Sequence, residues 1–294
     1  NIFELHKIDN TYVLHITENE IETFKKAIRL SNISSLSYEM FEGINKNTLK
    51  QSDLIPKLDK NNKFYNDITS YLNYYNTTSR IRYTGQLAHV RGFQNIIKNA
   101  IQHKYSYIMI FEPDVIFSKD FNKRLSNISN HDVIYLGASQ HNWNNNPVNG
   151  KPIKYINGIG YYANHTTGTF GIVLKHTIFN DYLEILNTET FASDMCLTIL
   201  QNHYNCIVLT PNLVVANVTE SQIANNRNMI DTMEKFGWTM DNYCLSILTN
   251  IFDKIYVINL KHRTEKRANI NEQFKRNGII FEFVDGVYGK EDQE

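Results

Sequence analysis

Two carboxylates, Glu112 and Asp114, close the run Tyr107-Ile108-Met109-Ile110-Phe111-Glu112-Pro113-Asp114-Val115. The apolar stretch before them is bounded by polar residues and reads as a central strand buried on both faces. Alternate residues of an extended chain point to one side, so both acids can face one ion. Pro113 between them removes an amide donor and stiffens the turn. Hard oxygen ligands of this kind suit Mg²⁺ or Mn²⁺, and either ion can bridge a diphosphate. The plainer reading of the same spacing is a solvated strand-end turn that happens to carry two acids.

The elements around this run alternate. Strand-like runs are Tyr12–Ile16, Leu36–Phe41, Tyr107–Phe111, Val133–Leu136, Thr169–Leu174 and Cys206–Pro211. Helix-like runs are Glu20–Leu30, Gln86–His103, Lys175–Leu186 and Ser193–His203. Such alternation predicts an α/β fold whose mostly parallel sheet carries helices on both faces. Ligands of such sheets sit at the carboxyl ends of the strands, where Glu112 and Asp114 fall. Residues 142–154 are polar and turn-rich and predict a loop. Residues 46–80 form a second variable stretch.

Composition narrows the classes of function. With 294 residues and 42% apolar content, the chain can bury a sizeable core. Lys+Arg and Asp+Glu both number 30, so the formal net charge is zero, which removes the electrostatic case for a nucleic-acid partner. No apolar run approaches the ~18 residues of a membrane span, and a soluble protein is the expectation, with the compartment unknown and the cytoplasm one option. Cys196, Cys206 and Cys244 form no paired motif and predict neither a disulfide nor a zinc framework, with Cys196 and Cys206 expected to be inert buried thiols. Five sequons, at Asn32, Asn76, Asn127, Asn164 and Asn217, match the number that the 38 asparagines give by chance, and do not argue for secretion.

One long-range repeat sets the domain organisation. Tyr12–Ile16, a charged helical stretch and Leu36–Phe41 lead into Glu42-Gly43-Ile44. Near the other end Ile255–Leu260, a charged helical stretch and Phe281–Val284 lead into Asp285-Gly286-Val287. The order strand, helix, strand, acid-Gly-aliphatic predicts a duplication, although any two βαβ units share part of it. On this reading residues 1–250 form one complete unit and residues 251–294 the opening of a second, related one.

The ordered set of motifs resembles glycosyltransferase family 25, the group of lipopolysaccharide and collagen sugar transferases. Its acidic metal motif, an apolar strand followed by Glu-Asp-Asp and an aliphatic residue, is similar to Phe111-Glu112-Pro113-Asp114-Val115. Tyr256–Arg267 resembles the family's opening strand and basic helix start. Gly85–Val90 resembles its Gly-rich helix start ending in a His. Asp132–Gly137, Gly168–Val173 and Ser193-Asp194 resemble later pieces in the expected order.

The resemblance implies a GT-A (Rossmann-like) fold and a divalent cation, Mn²⁺ or Mg²⁺. It also implies a UDP-sugar donor and a hydroxyl acceptor on a glycan or protein. Glu112 and Asp114 would hold the metal, with Asn217 as a third ligand. An inverting transfer needs a carboxylate base, for which Asp194 is the candidate. A helix cap is the competing role for that residue. Tyr12, His15, Glu42 and His89 make up the donor-binding set, with helix packing the plainer reading of His89. Trp143 and Tyr161-Tyr162 are candidates for stacking on a sugar, whereas His141, His165, His176 and His203 carry no signal that ranks them. Two departures support an alternative, a catalytically inactive domain with a binding or structural role. Pro113 replaces the middle acid, and Thr17-Glu18-Asn19-Glu20 stands where the family tends to be basic.

Overall fold

Each residue of Tyr107–Phe111 is buried, as a strand must be when helices or further strands cover both faces of its sheet. The structure, a computed structural model, describes residues 2–3, 8–31, 33, 36–125, 128–139, 154–156, 158–218, 229–239, 242–244, 254–276, 279 and 281–286. Its elements begin with β1 (Ile2–Phe3), β2 (Asn10–His15), α1 (Glu18–Ser31), β3 (Glu39–Glu42), α2 (Tyr65–Tyr74) and α3 (Thr84–Gln102). They continue through β4 (Tyr107–Phe111), β5 (Val115–Phe117), α4 (Phe121–Leu125), β6 (Ile128–Ser129), β7 (Val133–Ser139), β8 (Tyr155–Ile156) and β9 (Gly160–Tyr162). Next come β10 (Thr167–Lys175), α5 (Phe179–Asn187), α6 (Ser193–Leu200), β11 (Cys206–Leu209), β12 (Val214–Ala216) and α7 (Met229–Phe236). The last three are β13 (Tyr256–Asn259), α8 (Thr264–Arg276) and β14 (Glu282–Asp285).

The central sheet has eight strands in the order β3-β2-β4-β10-β7-β11-β9-β8. The expected parallel character holds for the strand directions: β3, β2, β4, β7, β11 and β8 run one way. β10 and β9 run against them, and β10 lies between β4 and β7. The chain is therefore a Rossmann-like α/β protein with a mixed sheet. Alternation along the strands divides the core into two layers. Tyr12, Leu14, Ile108, Ile110, Tyr135, Ile172 and Val208 face one layer, closed by α2, α3, α5 and α6. Val13, Met109, Phe111, Ile134, Leu136, Val173 and Ile207 face the other, closed by α1, α4, α7 and the pair β5–β12. The variable stretch at 46–80 contains α2, whose narrow stripe of Ile68 and Leu72 is too short to stand out as a helical period. Residues 140–153, with His141 and Trp143, lie outside the described residues.

Two glycines seat the β5–β12 ribbon on the sheet. A Cβ on Gly137 of β7 would lie 2.2 Å from the Val214 carbonyl oxygen, and one on Gly171 of β10 would lie 2.3 Å from Val214 Cγ2. β12 thus packs against bare backbone. β5 pairs with it antiparallel, Val115 opposite Ala216, so Asp114 and Asn217 meet at the ribbon's end.

β13, α8 and β14 form a separate βαβ unit with its own two-stranded parallel sheet. Its closure matches that of β2, α1 and β3. The Gly43 N–H donates to the His15 carbonyl at 2.6 Å, and the Gly286 N–H donates to the Asn259 carbonyl at 3.0 Å. In each case the acid before the glycine lies opposite the residue whose carbonyl is used. No described helix is long and apolar enough to cross a membrane.

Filling the glycine groove should unseat the ribbon. Gly137→Val is expected to cost about 3 kcal/mol, the upper range for overpacking, because the obstructing atom is backbone. Thermal melting checks this, and an unchanged midpoint would contradict the role given to Gly137.

Candidate active site

β4 delivers Glu112 to the carboxyl edge of the sheet, where its backbone N–H donates to the Phe170 carbonyl at 3.1 Å. The antiparallel β10 then brings Thr169 alongside, and its hydroxyl donates to Glu112 Oε1 at 2.8 Å. His89, from the first half of α3, places Nε2 3.6 Å from the same oxygen. That separation makes an ion pair when the imidazole is protonated but is long for a hydrogen bond. The other ring nitrogen, Nδ1, lies 2.9 Å from Ser193 Oγ at the start of α6. One imidazole therefore links the strand-end acid to the helix that bears Asp194.

Asp194 lies in the first turn of α6, one residue past Ser193. Its carboxylate accepts the Gly168 N–H at 3.2 Å and the Met195 N–H at 2.8 Å. The N-cap position belongs to Ala192, which makes no side-chain cap bond, so the carboxylate of Asp194 satisfies first-turn and neighbouring-strand amides instead. Gly168 can present its amide because it adopts φ +95, and a Cβ there would sit 2.8 Å from the Phe170 ring and the Ser139 nitrogen.

Burial and charge act on these groups in opposite directions. Burial opposes a charged His89, yet Glu112, Asp194 and Asp114 overcome it and raise the imidazole above its ordinary range. Burial also opposes an ionised Glu112, but His89 and the Thr169 hydroxyl hold its carboxyl below the usual value. For Asp194 burial prevails, and its carboxyl is raised despite the two amides and His89.

The remaining candidates divide. Asn217 is buried, and its backbone N–H donates to the Asp114 carbonyl at 2.7 Å, which brings it beside the strand-end acids. His15 and Glu42 lie opposite each other at the ends of β2 and β3, with Glu42 exposed. Tyr12 is apart from this group. Its ring is wholly buried and its hydroxyl donates to Asn99 on α3 at 2.5 Å, with burial pushing the phenol up to about 12. Tyr161 is buried in β9, while the more exposed Tyr162 has the Lys154 ammonium over its ring. Cys196 and Cys206 are buried thiols whose pKa burial raises.

The acidic stretch after β2 has a structural cause. The Thr17 hydroxyl accepts the Glu20 N–H at 3.3 Å, and Glu20 Oε2 accepts the Thr17 N–H at 3.0 Å and the Ile16 N–H at 2.6 Å. This is a capping box that starts α1.

Sequence reasoning missed the anchor beneath α6. Glu189 is 4% exposed, adopts φ +48, and meets Arg91 through Nε at 2.9 Å and Nη2 at 3.1 Å. Lys57 Nζ adds a third contact at 2.9 Å. Nothing local in the sequence joins residues 57, 91 and 189, and only the packed fold brings them together.

As for a cation, no three of His, Cys, Asp and Glu converge to hold one among the described residues. The three residues expected from sequence to hold one, Glu112, Asp114 and Asn217, offer oxygen donors: two carboxylates and a side-chain amide. Glu112 uses Oε1 for its contacts with both Thr169 and His89. Such a set fits Mg²⁺ or Mn²⁺, which take one or two carboxylates and complete their shell with substrate phosphates and water.

Glu189 should leave a signature in acid. Burial alone would raise its carboxyl, but Arg91 and Lys57 hold it below the ordinary value. Its stabilisation is therefore present above the unfolded carboxylate pKa and is lost as pH falls through the folded one. Glu189→Gln is expected to cost on the order of 2 kcal/mol near neutral pH, less than a fully enclosed pair because Lys57 and Arg91 reach solvent. Its melting temperature should also fall less steeply below about pH 4.5 than that of the unaltered chain. Parallel melting curves in acid would refute this.

No curated protein matches the chain. The family model described as glycosyltransferase family 25 (LPS biosynthesis protein) matches residues 11–197 and 252–294, well over half of the sequence. The chain belongs to glycosyltransferase family 25.

Proposed function

We propose that this glycosyltransferase moves a sugar from a UDP-sugar to a hydroxyl of a glycan or protein acceptor, with inversion and with the help of Mn²⁺ or Mg²⁺. The observation that carries the reading is the convergence of Glu112, His89 and Asp194 at the carboxyl edge of the sheet, with Asp114 close enough to act on His89. Glu112 and Asp114, with the Asn217 side chain, would hold the cation. When bound, the ion stabilises the negative charge that develops on the leaving diphosphate. His15 and Glu42 border the donor from the ends of β2 and β3.

Asp194 is the proposed base. Burial raises its affinity for a proton, which suits a group that must take one from an acceptor hydroxyl. The Gly168 and Met195 amides hold its two oxygens in place. His89 fixes the spacing between Glu112 and Ser193, and hence between the cation site and the base.

We further infer that residues 254–286 open a second, related unit. The shared strand–helix–strand order, the matching Gly43 and Gly286 hydrogen bonds and the family match in two pieces support it. Its helix start, Lys261-His262-Arg263, has the basic character that Thr17–Glu20 lacks.

One observation favours a non-catalytic reading. The N-terminus of α1 is already satisfied by its capping box and has Glu18 and Glu20 in its first turn, which disfavours an anion there. Two measurements separate the readings. Asp114→Ala is expected to abolish metal-dependent UDP-sugar hydrolysis, and unchanged turnover would remove Asp114 from the site. Calorimetry of the unaltered chain with UDP and Mn²⁺ should show binding, whereas no heat at millimolar UDP would establish the structural role.

A further inference from the structure

The segment that runs from the end of α2 to Arg80 packs beside the loops that carry Gly168 and Asp194. Tyr71 lies parallel to His165, with ring centroids 5.7 Å apart and an interplanar angle of 19°. Tyr71 also meets Phe191 edge-on at 6.4 Å. The Tyr75 hydroxyl lies 3.2 Å from His165 Nε2. His165 is three residues before Gly168, whose amide binds Asp194, and Phe191 is three residues before Asp194 itself. The aromatic group is thus tied to both strands of chain that hold the proposed base.

Two features of this group have no role in the fold described above. Arg80 lays its guanidinium over the Tyr75 ring at 4.4 Å, and its Nε is buried with no hydrogen-bond partner. No carboxylate pairs with Arg80 among the described residues. A buried donor left unsatisfied costs free energy, and a guanidinium held over an aromatic ring has part of its rotamer freedom already removed before an anion arrives. The second feature is backbone strain. His165 has φ +57, a non-glycine residue in the left-handed region within this group, whereas Asn76 (φ +48) is the left-handed residue of the cap that ends α2, with its N–H donating to the Asn73 carbonyl and the Thr77 N–H to the Leu72 carbonyl. Strain of this kind persists where surrounding structure holds a site in shape. Tyr74 is 54% exposed and meets Tyr75 at 85°. A pyranose can lay its apolar C–H face on such a ring while its polar groups reach others.

We propose that Tyr74, Tyr75, Arg80 and His165 form the acceptor subsite, and that the acceptor is an anionic sugar whose carboxylate or phosphate is taken by Arg80. The proposal rests on the transferase reading, since an acceptor must lie beside the base. Its test does not depend on turnover.

The probes are glucuronic acid, glucose 6-phosphate and, as the uncharged control, glucose, each followed by saturation-transfer NMR on the full chain. The unaltered protein should transfer saturation to at least one anionic sugar several-fold more strongly than to glucose, and the stronger of the two identifies the anion. Arg80→Met keeps an aliphatic stem on Tyr75 and should erase the preference with the melting temperature unchanged. Tyr74→Ala should weaken transfer to every sugar that binds. Equal transfer to all three sugars in the unaltered chain, no transfer to any, or a preference that survives Arg80→Met overturns the proposal. UDP-sugar hydrolysis, which uses water in place of the acceptor, reports on the donor side separately. Its absence from the unaltered chain counts against the transferase reading while the sugar-binding result stands by itself. Its loss in Arg80→Met would place Arg80 on the donor side and overturn the acceptor assignment.

Discussion

A carboxylate at the end of a wholly buried strand must find compensation, and Glu112 finds it in His89 and Thr169. Everything around the candidate site follows from that requirement. Thr169 is available because β10 runs antiparallel to β4, and His89 because α3 crosses the same layer of the core. The second nitrogen of the imidazole then fixes Ser193, and with it the first turn of α6. Three elements distant in sequence are held by one ring, and the acids they carry lie close enough to shift one another's proton affinities. The centre of the site is tied together by this one ring, with Nδ1 against the Ser193 hydroxyl and Nε2 facing Glu112 as an ion-pair partner without a hydrogen bond of its own.

The sequence made the layered α/β architecture legible, because most of the six strand-like and four helix-like runs carry a period or an apolar run. It also placed Glu112, Asp114 and Asp194 at a strand end or a helix start, where the fold puts them. Strand direction was not legible: a fully buried β10 reads the same whichever way it runs. The β5–β12 ribbon was missed because three-residue strands carry no period, and its seat is made by Gly137 and Gly171, which mark themselves only through what lies opposite. The acidic stretch Thr17–Glu20, a departure from the family pattern at the level of sequence, is in the fold a reciprocal pair of hydrogen bonds that begins a helix. Glu189, Arg91 and Lys57 were beyond reach, since ion pairs across such separations are written only in the packed chain.

The two βαβ units show how one local plan serves different surroundings. In β2–α1–β3 the strands join a large sheet, and Tyr12 and Leu14 are buried. In β13–α8–β14 the equivalent positions are far more open, with Tyr256 54% and Ile258 76% exposed. The closing hydrogen bond from the glycine is the same in both. Local geometry of this kind is set by the segment itself, whereas burial depends on neighbours.

Glu189 also joins parts of the chain that share no secondary structure. Lys57 reaches it from the segment before α2, and the Lys57 N–H donates to the Thr188 carbonyl at 2.6 Å, one residue away. The Arg80 N–H donates to the Thr190 carbonyl at 2.9 Å, on the other side. The short stretch from 188 to 190 is therefore clasped from two directions by the outer segment 57–80. The outer segment and the chain leading into α6 thus share these bonds, and neither can shift alone without breaking them.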